Sequence, residues 1–97
     1  MSMTSSLERV FHQTTGDKYE CLFHRNHLVS ILKFDFIEEI EMQGGKGRRY
    51  SEPYSIHNFY GVQKGIHLHD FKKHIESRDD LRCRFRWITQ EELDARD

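Results

Sequence analysis

A glycine-rich turn between two alternating stretches is the feature that most constrains how this chain can fold. Residues 34–43 and 48–59 alternate as half-buried strands do, and Gly44-Gly45-Lys46-Gly47 lies between them. Glycine adopts the positive φ angles that a tight hairpin turn requires. The pattern predicts a β-hairpin against which the rest of the chain packs. Because Pro53 cannot donate a ladder hydrogen bond, we expect the return strand to be an edge strand or to break there.

Three segments are predicted to be helical. Ser5 and Glu8 have the spacing of a capping box ahead of an apolar face, which predicts an N-terminal helix over residues 6–14. A narrow apolar stripe predicts a second helix over residues 68–78. Thr89-Gln90-Glu91-Glu92 is a second capping box and predicts a short C-terminal helix.

Further strands are predicted on both sides of the hairpin. Residues 17–24 and 28–36 contain alternating apolar residues, with a turn at residues 25–27. A helix over residues 27–42 is the competing interpretation, but the dense Val, Ile and Phe residues there favour strands. Residues 81–88 alternate most regularly, so we expect this strand to hold the middle of the sheet.

Together these elements predict an α+β fold with a small antiparallel sheet of four to five strands and helices on one face. No linker or repeat divides the 97 residues, which predicts one domain whose residues 1–5 can be flexible. No apolar run approaches the roughly 20 residues that cross a bilayer, and the N-terminus lacks a signal-peptide pattern. We therefore expect a soluble, cytoplasmic protein with no membrane partner.

The charge composition gives the chain no global attraction for nucleic acid or membranes. It has 15 basic and 16 acidic side chains, so its net charge is −1, and a charged partner would have to meet a local patch. The two cysteines are expected to be reduced core residues, because a chain with no secretion signal is not expected to carry a disulfide framework.

The strongest local pattern is the cationic stripe formed by Arg82, Arg84 and Arg86. On one face of a strand their spacing would be about 6.6 Å, which is comparable to the phosphate spacing of nucleic acid. A charged outer strand face, paired with glutamates of a neighbouring strand, is the simpler explanation. The basic hairpin tip could extend the stripe, and tyrosines could stack on bases. The candidate macromolecule-binding residues are Lys46, Arg48, Arg49, Tyr50, Tyr54, Arg82, Arg84 and Arg86.

Neither a catalytic site, a metal site nor a cofactor is predicted. The two cysteines do not form a Cys-x-x-Cys pair of zinc ligands. A zinc site such as Cys21, His24, His69 and Cys83 can be assembled only by selecting residues freely from the two cysteines and the seven histidines across the sequence. His67-Leu68-His69-Asp70 keeps a metal-dependent hydrolase as a minor alternative. The sequence lacks both a nucleophile elbow and a phosphate-binding loop, and so favours a protein that is not an enzyme.

The sequence favours a small binding module that acts through protein–protein interaction, as an inhibitor or regulator of a larger macromolecule. Its Tyr, Phe and Arg residues are types enriched at interfaces and their hot spots. The alternative is a nucleic-acid-binding protein that uses the Arg stripe with the basic hairpin tip. A homo-oligomer formed through an exposed edge strand is a further expectation.

Overall fold

Strands dominate the computed structural model, which describes residues 5–89, 91 and 92. The first six elements are strands: β1 (Ser5–His12), β2 (Lys18–His24), β3 (His27–Phe34), β4 (Phe36–Met42), β5 (Gly45–Tyr50) and β6 (Tyr54–Ile56). Two helices and a last strand follow: α1 (Leu68–Ser77), α2 (Asp79–Arg84) and β7 (Phe85–Trp87). An antiparallel sheet has the strand order β6-β3-β2-β1-β7, and β4 pairs with β5 in a separate two-stranded sheet.

The β2–β3 hairpin follows from the alternation of its residues and from its turn. Tyr19, Cys21 and Phe23 are buried on one face of β2, as the alternation predicts. Arg25 and Asn26 have positive φ angles of 51° and 65°, which suit a two-residue turn between paired antiparallel strands. The predicted strands at residues 17–24 and 28–36 are confirmed in type, and the alternative helix over residues 27–42 is wrong.

Aromatic rings fill the space between the inner face of the five-stranded sheet and the helices. Phe59 lies at the centre, with its ring centroid 4.7 Å from that of Tyr19 and 5.0 Å from that of Phe85. Phe71 and Ile75 are the buried residues of α1. The predicted second helix therefore exists, within one residue of its expected end, and its apolar stripe closes this core.

The predicted N-terminal helix is wrong, and with it the α+β fold class. Residues 5–12 form β1, which pairs with β2 along almost its whole length, and the described helices all lie near the C-terminus. A helix of about nine residues is marginal in water without extensive packing. The extended chain instead buries Val10 in the core, while Glu8 pairs with Lys72 at 3.2 Å rather than capping a helix.

The prediction of a central strand over residues 81–88 is also wrong. Residues 81–84 belong to α2, and β7 has only three residues at the edge of the sheet, beside β1. Asp79 and Asp80 in the first turn favour helix formation, because negative charge near a helix N-terminus is stabilising. Leu81 and Phe85, four residues apart, are both buried, so the apolar residues satisfied a helical period as well as an alternating one.

The glycine-rich hairpin forms, but it is not the scaffold of the fold. Its turn consists of residues 43 and 44, since Met42 pairs with Gly45, and Gly44 has a φ of 92°. Two-residue turns suit the twist of paired strands better than the four-residue turn expected here. Pro53 lies between β5 and β6, and β6 is an edge strand, so the predicted break and edge are both confirmed.

The expectations for the two ends of the chain lie partly outside the described residues. The structure does not describe residues 1–4, 90 and 93–97. The expected flexibility of residues 1–4 and most of the predicted C-terminal helix therefore lie outside the described residues. The second capping box is present: Glu92 N donates to Thr89 Oγ1 at 3.2 Å, and Thr89 N donates to Glu92 Oε1 at 3.4 Å.

His12 is a buried histidine at the end of β1, against the ring of Phe85. Its Nδ1 accepts a 3.1 Å hydrogen bond from Thr15 N. Burial lowers the pKa of His12, an effect that the positive charges of Arg84 and Lys33 reinforce and that Asp17 opposes. The native state therefore holds a neutral imidazole under conditions where the unfolded chain binds a proton.

The pH dependence of stability should report this histidine. A lowered native pKa means that the stabilisation is complete above pH 6.5, the ordinary value, and is lost progressively as the pH falls below it. We expect His12→Asn, which keeps an acceptor for Thr15 N, to flatten the fall in the free energy of unfolding in mildly acidic urea titrations. The exposed His69→Asn is the control and should retain the wild-type slope. Equal slopes for wild type and His12→Asn would contradict a neutral native His12.

Candidate binding surface on the hairpin

The base of the β4–β5 hairpin is attached to the main sheet by hydrogen bonds and a close glycine contact. Phe36 N donates to Asp17 Oδ1 at 2.8 Å, and Ser51 N donates to the carbonyl of Asp35 at 2.8 Å. Gly16 has a φ of 82° and lies against the Phe36 ring, so that a Cβ added there would be 3.1 Å from Phe36 Cγ. The contacts of Phe36 with Asp17 and Gly16 hold the start of β4 against the β1–β2 turn, and the hydrogen bond between Ser51 and Asp35 closes the base of the hairpin.

Cation–π contacts fix the side of the hairpin that faces the sheet. Arg48 Cζ lies 4.1 Å from the ring centroid of the buried Phe11, and Arg86 Cζ lies 5.0 Å from the same centroid. Lys18 Nζ lies 4.9 Å from the centroid of Tyr50. Two of the predicted binding residues, Arg48 and Arg86, are thus brought together around one phenylalanine.

Arg86 is already occupied by a carboxylate. Its two terminal nitrogens donate to the two oxygens of Glu92, both at 2.7 Å. The hydrogen bond from Arg86 lowers the pKa of Glu92 to about 2, and the same contact raises the pKa of Arg86. A phosphate group would have to displace Glu92 before it could bind this guanidinium.

Arg48 borders an open cleft between the hairpin and the β1–β2 turn. The cleft has a volume of about 410 Å³ and includes Glu39 as well as Arg48 in its lining. Arg48 Nη1 and Tyr50 Oη are buried without a hydrogen-bond partner among the described residues, so the ring contacts are what hold this arginine. With one arginine and one glutamate, the described lining of the cleft has no net charge to attract an anion.

The charges of the two strands are opposite in sign and directly paired. Across the ladder, Glu38 faces Arg49, Glu39 faces Arg48 and Glu41 faces Lys46. The first pair is a close ion pair, with Arg49 Nη2 2.8 Å from Glu38 Oε2. Such cross-strand pairs stabilise a ladder. The acidic run of β4 therefore offsets the basic hairpin tip instead of pairing with the arginines at positions 82, 84 and 86.

Large apolar side chains are exposed on the same hairpin. Ile37 is 45% exposed and Met42 is 47% exposed, and both belong to β4. Gly47 has no side chain, and Met42 lies against it from the opposite strand. β4 therefore presents apolar side chains to solvent, next to the balanced charges of the ladder.

The remaining candidate residues lie outside the two hairpin strands. Arg82 and Arg84 are exposed on α2, where residues two apart point about 200° away from each other. Arg82 forms an ion pair with Asp79 at 2.9 Å. Tyr54 lies on β6 and donates its hydroxyl to Asp35 Oδ1 at 3.1 Å. The cationic stripe required strand geometry, and that geometry does not form.

Three residues that shape this surface were missed from the sequence. Phe11 lies under the guanidinium groups, and Gly16 and Phe36 form the contact at the hairpin base. Phe11 lies in the segment that was predicted to be the N-terminal helix, and its place under the guanidinium groups follows from the pairing of β1 with β2. The contact of Gly16 with Phe36 depends on how the two sheets meet.

Several of the histidines and cysteines named in the sequence have structural roles in this fold. Within the described residues, no group of three or more His, Cys, Asp or Glu side chains is arranged to hold a metal ion. Cys21 is buried, which raises its thiol pKa to about 12. Cys83 is exposed on α2, so the expectation that it is a core residue is wrong. His67 Nδ1 accepts a hydrogen bond from His69 N at 3.1 Å, and His67 is the N-cap of α1. The His67–Asp70 motif therefore begins a helix.

Comparison with known proteins assigns this chain to no family. No family model matches it, and no curated protein or solved structure matches it significantly. In the part of the chain that is described, no helix combines the length and apolar character needed to span a bilayer.

Proposed function

We propose that this protein is a non-enzymatic binding module that regulates or inhibits another protein by contacting it through β4 and β5. The observation that carries the proposal is the exposure of Ile37 and Met42 on a two-stranded sheet whose charges are already balanced. Partly apolar surfaces with few uncompensated charges are typical of the centres of protein interfaces. The free thiols Cys21 and Cys83 fit a reducing cytoplasm.

Strand addition is the mode of recognition that this surface supports best. Within the described residues, β4 and β5 pair only with each other, so each has an edge that another strand can join. A partner strand would gain main-chain hydrogen bonds there, and Ile37 and Met42 would supply apolar contacts for specificity. Because the base of the hairpin is already held in place, binding would lose less conformational entropy in ordering β4 and β5.

Nucleic acid is a poorer fit to the same residues. Three glutamates oppose Lys46, Arg48 and Arg49 across the ladder, and Arg82 and Arg86 have carboxylate partners. Each paired arginine would have to exchange a carboxylate for a phosphate, which reduces the gain from binding. Because Arg82 and Arg84 lie on α2 and point to different sides of it, the regular basic stripe that this hypothesis required does not form.

Affinity capture with matched variants tests the proposal. We expect the wild-type protein to retain a stoichiometric protein from nuclease-treated lysate of its native host. The double variant Ile37→Lys, Met42→Lys should retain at least about tenfold less of the partner. The reason is that changing a hot-spot residue at the centre of an interface costs about 2 kcal/mol or more of binding free energy. Leu22→Lys, which changes an exposed leucine of β2, is the control and should bind like wild type.

Two outcomes would contradict this function. One is full retention of the partner by the double variant, once circular dichroism shows that the variant is folded. The other is capture that disappears on nuclease treatment and reappears with added nucleic acid, which would identify a nucleic-acid ligand.

A further inference from the structure

The free edge of β3 is covered at two places and open between them. At one end Ile31 pairs with Ile56 of β6. At the other, Leu28 N donates to the carbonyl of Ile66 at 2.9 Å, and Gly65 N donates to the carbonyl of Leu28 at 2.8 Å. The two residues between these points, Val29 and Ser30, have no partner strand on this side within the described chain. The result is a notch in the sheet edge.

A pocket of about 100 Å³ occupies this notch. Its apolar lining consists of Leu28, Val29, Ile31 and Ile56, of which Val29 is the most exposed at 41%. Its polar lining consists of Ser30, Ser55, His57 and Lys64. None of these four side chains makes a hydrogen bond or ion pair with another described residue. A few polar side chains without partners, set among apolar residues, are typical of the lining of ligand sites.

The charge of the pocket selects the class of ligand. Its described lining contains no carboxylate, and Lys64 supplies a full positive charge at its wall. A lysine ammonium forms a charge-assisted hydrogen bond with an anionic oxygen, and serine hydroxyls can donate to the same group. One lysine is a modest counter-charge for a doubly charged phosphate but matches a single carboxylate. The apolar lining residues would contact a short hydrocarbon group attached to the carboxylate.

We propose that the notch binds a carboxylate carried on a short apolar group, with Lys64 as its counter-ion. One water needs about 10–15 Å³ of such space, so the pocket has room for a group of several heavy atoms. Two sources share this chemistry: a free short-chain carboxylic acid and the C-terminal residue of a peptide with a small apolar side chain. The site contains no residue of β4 or β5 and is independent of the function proposed above.

Amide-resolved NMR titration of the ¹⁵N-labelled full chain at neutral pH tests the site. The probes are isovalerate, its neutral amide isovaleramide, and a short peptide ending in valine as the free acid or the amide. We expect saturable shifts at Val29, Ser30, Ile56 and Lys64 with the acids. Both amides should bind about tenfold more weakly, since they lose a charge-assisted hydrogen bond.

Variants separate the role of Lys64 from a general effect of charge. Lys64→Gln should weaken binding of the acid about tenfold, whereas Lys73→Gln, an exposed lysine of α1, should leave it unchanged. Binding of isovalerate supports the proposal with a free acid as ligand, and binding of the peptide acid alone supports it with a chain terminus. Equal binding of acid and amide, unchanged binding by Lys64→Gln, or no saturable shift with any probe at about 20 mM would overturn it.

Discussion

Replacing Phe59 with alanine is expected to lower the free energy of unfolding by about 3–5 kcal/mol. The Phe59 side chain is completely buried and contacts four aromatic rings, those of Tyr19, Tyr60, Phe71 and Phe85. These rings belong to the sheet, to the loop before α1 and to α1 itself, so the cavity would open where the layers meet. A domain of this length is stable by about 5–15 kcal/mol, and the variant would lose a large part of that.

Urea denaturation followed by circular dichroism measures the loss. Phe59→Leu retains most of the buried volume and should cost less than about 1.5 kcal/mol, which provides a folded reference if the alanine variant does not fold. A loss below about 1 kcal/mol for Phe59→Ala would show that this ring does not join the layers as described.

Substituting Gly16 with alanine is expected to destabilise the protein by about 2 kcal/mol and to loosen the hairpin. Its φ of 82° lies in the left-handed region, which costs other residues roughly 1–2 kcal/mol. The new methyl group would also press on the Phe36 ring, because its Cβ would be 3.1 Å from Phe36 Cγ. Moving that ring would disturb the start of β4, where Phe36 N donates a hydrogen bond to Asp17 Oδ1.

Gly65→Ala is a matched control for the cost of placing alanine in a left-handed backbone conformation. Gly65 has a φ of 90°, and an added Cβ would meet no atom within 4 Å, so this variant reports the cost of the left-handed conformation alone. Hydrogen exchange should show faster opening of β4 and β5 amides in Gly16→Ala than in Gly65→Ala. Equal stability losses and equal hairpin exchange in the two variants would mean that Gly16 does not brace Phe36.

Local patterns in the sequence predicted those parts of the fold that depend on near neighbours. The alternation in β2, the Phe71 and Ile75 face of α1, and the break at Pro53 each follow from a short stretch of residues. The first strand could not be recognised in this way, because residues 5–12 fit a capped helix locally. Their pairing with β2, which lies across a turn, decides the outcome.

The candidate surface shows the same limit. Alternation placed Arg82, Arg84 and Arg86 on one strand face, but Leu81 and Phe85 also satisfied a helical period, and two aspartates favoured a helix start. The hairpin residues Lys46, Arg48 and Arg49 were correctly placed on one hairpin. Their balance by glutamates depended on the register of β4 with β5, which the position of the turn sets.

The opposite charges of the two hairpin strands also restrict how copies of this protein can associate. Symmetric pairing of two β4 edges would bring three glutamates of each copy together, and symmetric pairing of two β5 edges would do the same with basic residues. Only β4 against β5 of the next molecule is electrostatically favourable, and that head-to-tail arrangement does not close into a dimer. The sequence of the hairpin thus opposes a two-fold dimer through this sheet, and self-association through it would have to be head-to-tail.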